Sequence, residues 1–132
     1  MRITYLTIDE VNAALALRLA SSAGIDLQVL APKDAVSPGP CHVFLCDLDA
    51  LSPAEPLLAL AKWIAALQPE LAALHSYKLS DCQRAGLRKD GVRVFRRLGR
   101  RVFRRLQQTV ARNGERVLRA NKQQPAVDQA IS

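Results

Sequence analysis

Asp47 closes an apolar run, Val43-Phe44-Leu45-Cys46, and is followed by Leu48-Asp49 and then Leu51-Ser52-Pro53, where a new periodic segment begins. An apolar run that ends on an acid reads as a buried strand delivering a carboxylate to the rim of a sheet. In open α/β folds that rim is where ligands and chemistry sit. Asp49 adds a second acid nearby, most simply a solvated loop residue. His75 follows another short apolar run, Leu71-Ala72-Ala73-Leu74. Histidine titrates near neutrality and a carboxylate neighbour raises its pKa, so a His75–Asp47 pair is a candidate pH-sensitive plug. The competing reading is a half-buried histidine with a local hydrogen bond. His42 opens a strand and has no evident partner. No Ser-His-Asp order and no Walker-type nucleotide loop occurs, so independent catalysis is not expected. Cys41, Cys46 and Cys82 lack metal-ligand spacing and read as buried, reduced thiols of a cytoplasmic protein.

A second chemistry lies in the arginines. Residues 1–83 hold five Lys/Arg against nine Asp/Glu, whereas residues 84–132 hold 14 against three. The net charge of +7 therefore divides into −4 and +11. An acidic body with a very basic C-terminal part points to an anionic partner or an intramolecular counter-surface. Eight of the cations fall between Arg88 and Arg104, interleaved with Phe95 and Phe103. Such a run suits nucleic acid, anionic lipid or an acidic protein face. A solvated helix face is the simpler alternative.

The elements that must position these groups alternate. Residues 2–8 read as a strand and 10–23 as a helix, with Asp9 as N-cap and Gly24 as its stop. Residues 25–31 alternate as a strand, and the prolines and glycine of 32–40 mark a loop. Residues 42–47 form the central strand. A helix over 54–67 takes Ser52 as cap and Pro53 as its first residue. Residues 71–76 form a fourth strand, and 80–89 a helix capped by Ser80 or Asp81 and interrupted at Gly86. The hexamer Arg-Val-Phe-Arg-Arg-Leu occurs at 93–98 and again at 101–106. Gly91 and Gly99 favour a strand over 92–96, a turn, and a helix over 100–112. The alternative is one basic amphipathic helix over 92–112, with Phe95, Leu98, Val102 and Leu106 on one face. Residues 113–132 read as a basic extension, helical from Glu115 to Lys122 and frayed or disordered from Gln123. The 49% hydrophobic and 23% charged composition suits one domain with a single core. No run approaches a membrane span, and the first residues do not resemble a secretory signal.

Five strands alternating with five helices imply a parallel sheet with helices on both faces. Over residues 1–112 the chain resembles the receiver domain of bacterial two-component response regulators, and that resemblance implies a flavodoxin-like, doubly wound five-stranded sheet of order 2-1-3-4-5. The resemblance rests on Thr7-Ile8-Asp9-Glu10 after the first strand, Phe44-Leu45-Cys46-Asp47 at the third, and Leu74-His75-Ser76 at the fourth. It implies Asp47 as the phosphoacceptor, and Mg²⁺ held by an acid pair after the first strand together with Asp47. Here the pair reads Ile8-Asp9, which leaves a weak Mg²⁺ site of Asp9 and Asp47 and no other cofactor. The resemblance also implies a switch hydroxyl at His75 or Ser76. Alternating strand side chains put His75, not Ser76, on the acceptor's face. The lysine position is represented by Arg96 or Arg97, without the ammonium geometry.

These departures suggest an atypical, or pseudo-, receiver that is not an enzyme and acts by binding a protein partner. The family's fourth helix, fifth strand and fifth helix supply the docking surface, here with Arg93, Phe95, Arg100, Arg101, Phe103 and Arg104, and a homodimer fits the same surface. Two alternatives stand beside this reading: a working phosphorelay receiver that uses Asp47, and a nucleic-acid-binding protein that uses the basic segment.

Overall fold

The computed structural model describes residues 1–32, 41–51 and 54–123. Five strands form one parallel sheet: β1 (Arg2–Leu6), β2 (Asp26–Leu30), β3 (Val43–Asp47), β4 (Leu71–His75) and β5 (Arg93–Phe95), in the order β2-β1-β3-β4-β5. Among the described residues four α-helices connect or follow them: α1 (Glu10–Ser22), α2 (Pro56–Leu67), α3 (Asp81–Lys89) and α4 (Arg100–Gln123). The expected sheet order is present, and the two helical segments expected from Arg100 onward are one helix, α4.

The central strands β3 and β4 are largely apolar on both sides because helices cover both faces of a parallel sheet. Ile3, Tyr5, Val43, Leu45, Leu71 and Ala73 turn to one face, where they meet Ala16 and Ala20 of α1 and Val102, Phe103 and Leu106 of α4. Leu6, Phe44, Cys46 and Leu74 turn to the other, under Leu60 and Leu67 of α2, with Leu87 of α3 against them. Phe44 stacks on Trp63 with ring centroids 6.4 Å apart. Period-two alternation in β1, β3 and β4 thus sorts the core into two layers.

The helix ends follow their local chemistry. The Asp9 carboxylate accepts from the backbone N–H groups of Val11 and Asn12, which starts α1. Gly24, at φ 70°, takes the left-handed turn after it. Ser80 and Gln83 form a reciprocal capping box at α3, and Gly86 does not interrupt that helix. The Ser52–Pro53 cap lies outside the described residues. α2 opens instead on Pro56, a residue preset for a first helical position. The 33–40 segment of the expected loop also lies outside them.

The continuous-helix reading of 92–112 is overturned. The first hexamer supplies β5 and the turn after it, and the second supplies the opening of α4. α4 then runs unbroken through Arg112 and Gly114 to Gln123, and residues 124–132 lie outside the described part. No helix among the described residues is long and apolar enough to cross a membrane.

Candidate functional site

Register brings the strand-end residues together. β3 and β4 pair so that Asp47 lies opposite His75, and β1 and β3 pair so that Tyr5 lies opposite Leu45. Tyr5, Asp47 and His75 therefore share the face covered by α1 and α4, at the carboxyl edge of the sheet. Thr7, two residues past Tyr5, continues that face.

Asp47 is buried, with 6% of its surface exposed. Its Oδ2 accepts two hydrogen bonds, from the Thr7 hydroxyl at 2.9 Å and from the Asn12 side-chain amide at 3.2 Å. The Thr7 hydroxyl in turn accepts from the Asp9 backbone N–H at 3.1 Å. A buried carboxylate is costly unless donors replace its water, and here β1 and the first turn of α1 supply them. Asp9 itself takes no part in binding Asp47. Its carboxylate is committed to the α1 cap, with Val11 and Asn12 N–H at 2.9 and 3.1 Å. Ile8 is turned outward and 66% exposed. The residue after β1 that reaches Asp47 is thus a hydroxyl rather than an acid.

The expected His75–Asp47 plug is corrected by the structure. The His75 Nε2 shares a 2.7 Å hydrogen bond with the Tyr5 hydroxyl, on a partner 70 residues away in sequence. Nor is the histidine half-buried, since only 4% of it is exposed. Burial pushes its pKa below the ordinary 6.5, and this outweighs the upward pull of Asp47 and Asp49. The Tyr5 hydroxyl is pushed upward, chiefly by burial and then by Asp47. Burial thus favours the neutral form of both partners.

Ser76 belongs to a separate bond set on the rim. Its hydroxyl donates to Asp49 Oδ1 at 2.8 Å and accepts from the Lys78 N–H at 3.1 Å. The buried Arg84 guanidinium donates to the Ser76 and Leu79 carbonyls at 3.3 Å, tying α3 to the loop after β4. Arg96 and Arg97 are exposed in the turn after β5, and neither forms an ion pair with Asp47. The structure therefore brings Asp47 and His75 to one face, and joins none of Asp9, Ser76, Arg96 and Arg97 to Asp47 by a hydrogen bond or ion pair.

An octahedral Mg²⁺ demands near-ideal oxygen geometry and at least one or two carboxylates free to coordinate. Asp47 has one oxygen engaged by two donors, Asp9 caps a helix, and Thr7 and Ile8 occupy the positions nearest the strand end. Among the described residues no three His, Cys, Asp or Glu side chains converge on a metal-sized site. This donor set does not suit the ion.

The second candidate region is the basic one. Arg93, Arg100, Arg101 and Arg104 are exposed, and Phe95 is half-buried against the core. Phe103 is corrected: it is 1% exposed and packs beneath α4 beside Val102 and Leu106, so no partner reaches it. Helical spacing of the second hexamer explains this, because residues 102, 103 and 106 fall on one side of a helix. Cys82 is also corrected, being exposed, whereas Cys41 and Cys46 are buried, and all three are free thiols. Among the described side chains, Arg2–Asp26 at 3.3 Å is the one ion pair, so Arg88, Arg93, Arg96, Arg97, Arg100, Arg101, Arg104, Arg105 and Arg112 have no acidic partner there.

Sequence reasoning missed Tyr5, Thr7 and Asn12 as members of the polar cluster. Tyr5 and Thr7 carried a usable signal: they alternate with Ile3 and share its face. Asn12 gave none, since an amide in a first helical turn is commonplace.

No protein-family model matches this chain, and no curated protein matches it. Among solved structures, it is similar to the solution structure of a response regulator protein from Burkholderia multivorans. The TM-score is 0.51 at 18% sequence identity, over 83% of this chain and 94% of that one. At that identity the likeness is one of fold.

Proposed function

We propose that this chain is a receiver-like signalling module that acts by docking a protein partner on its basic surface and does not accept a phosphoryl group on Asp47. The observation that carries this reading is the state of Asp47: buried, with Oδ2 bonded to Thr7 and Asn12, and with the acid after β1, Asp9, committed to the α1 cap. Phosphoryl transfer to a carboxylate brings two anions together, and a hard cation normally offsets their repulsion. Thr7 offers that step a neutral hydroxyl. Asp47 then serves as a polar anchor that fixes β1, β3 and α1 to one another at the sheet's carboxyl edge.

The basic surface supports the docking half of the reading. Charges that serve a fold are paired or buried, whereas these arginines are exposed and unpaired among the described residues. The module is non-enzymatic and needs no metal. Three free thiols suit a reducing, cytoplasmic setting.

The test is an amide NMR titration with Mg²⁺, then with Mg²⁺ and beryllofluoride, a phosphoryl mimic. The expected result is an unchanged spectrum at Asp47, Thr7 and His75 at millimolar Mg²⁺. Saturable shifts at those residues that spread to 93–106 would instead establish a working phosphorelay receiver.

A further inference from the structure

The arginines are not spread evenly over the basic surface. A crevice of about 850 Å³ opens between α4 and the amino-terminal ends of β4 and β5, and Arg88, Arg93, Arg105 and Arg112 all line it. It lies at the opposite end of the strands from Asp47. Its size is that of a ligand cleft rather than a surface dimple. Arg105 and Arg112 are two helical turns apart, so they stand on one side of α4, about 10 Å from each other along its axis. Gln108 and Thr109 fall between them on the same side. Arg93 faces them from β5 and Arg88 from the end of α3.

We infer that this crevice receives an acidic peptide segment of the partner protein; this rests on the docking reading above. Charges separated by two helical turns are too far apart for one small anion to meet, so the occupant carries several. Guanidinium forks bind carboxylates in pairs of hydrogen bonds. Two features favour a peptide over a nucleic-acid backbone. Glu70 stands among the lining residues, where it repels a continuous phosphate chain but accepts hydrogen bonds from peptide N–H groups. The aromatic rings of this region, Phe95 and Phe103, are packed against or within the core and offer no exposed face for base stacking.

The test uses fluorescence anisotropy on the full chain with three labelled probes: a peptide alternating glutamate with leucine, its glutamine counterpart, and a DNA duplex. The acidic peptide is expected to bind, and the glutamine peptide to bind at least about tenfold more weakly, a loss of about 1.4 kcal/mol. The triple variant Arg93→Glu, Arg105→Glu, Arg112→Glu should lose binding, while Arg18→Glu, Lys62→Glu, Lys78→Glu, the same change of charge at exposed positions away from the basic surface, should keep it. Binding that survives the first variant and is lost in Arg100→Glu, Arg101→Glu, Arg104→Glu leaves the docking surface standing and removes the crevice. Tighter binding of the duplex than of the acidic peptide, with a steep salt dependence, overturns the peptide as occupant. If no probe binds, both the crevice and the docking reading fall.

Discussion

Asp47 and the arginines of α4 hold charge in opposite ways. Asp47 is a buried anion whose donors are supplied from within, by Thr7 and Asn12. Arg100, Arg101, Arg104, Arg105 and Arg112 are exposed cations with no acidic partner among the described side chains. The first arrangement costs the fold desolvation and recovers it through hydrogen bonds, so it is a structural device. The second gives the fold little. Arg100 and Arg101 even sit at the amino-terminal end of α4, in a first turn without an acid, where the helix dipole disfavours cations. Charge that is satisfied internally is unavailable for binding, and charge that the fold leaves unpaired is available. On that difference rests the proposal that the basic surface, and not the strand-end acid, carries the function.

The comparison breaks first at Phe103, which lies in the basic stretch but belongs to the core. Phe103→Ala should cost about 3–5 kcal/mol in urea denaturation, as for other buried aromatics. A loss under 1 kcal/mol would return it to the binding surface. Next comes Asp47→Ala, which leaves the Thr7 and Asn12 donors without their acceptor and should cost about 1–3 kcal/mol. Asp47→Asn, which keeps an acceptor oxygen, should cost less. If neither change affects stability, Asp47 is not a structural anchor.

His75 sharpens the comparison through pH. Its pKa in the fold lies below the ordinary 6.5, so the unfolded chain binds its proton first as pH falls. The stability this neutral histidine contributes is complete above 6.5 and is lost progressively below it. The slope is at most about 1.4 kcal/mol per pH unit for this one group. Denaturation midpoints from pH 7.5 downward should show it, and His75→Gln should flatten it. A midpoint that rises as pH falls would mean that His75 gains an anionic partner.

The smallest effect belongs to the arginines. Arg100→Glu with Arg101→Glu should stabilise the chain by about 0.3–1 kcal/mol, because acids suit a helix amino terminus. Destabilisation would show that these cations serve the fold after all.

The sheet was legible in the sequence because strand periodicity, the Gly24 stop and the Ser80 cap each carry their own local cause. The two copies of Arg-Val-Phe-Arg-Arg-Leu show where legibility ends. In the first copy Val94 and Phe95 alternate across β5, each toward a different core layer. In the second, Val102, Phe103 and Leu106 share one side of α4. Six identical residues adopt two structures because β4 pairs with the first copy, whereas the second continues into seventeen further helical residues, 107–123. The site was less legible for a related reason. Asp47 and His75 could be read as strand ends, but which atoms reach them depends on register between strands remote in sequence. Tyr5 meets His75 across 70 residues, and no local pattern records that meeting.

The most direct test is intact-mass spectrometry of the native chain and of Asp47→Asn after incubation with acetyl phosphate and Mg²⁺. The account predicts no phosphoryl adduct on either. An adduct on the native chain that Asp47→Asn lacks would contradict it, and would make the strand-end acid, not the basic surface, the place where this protein is switched.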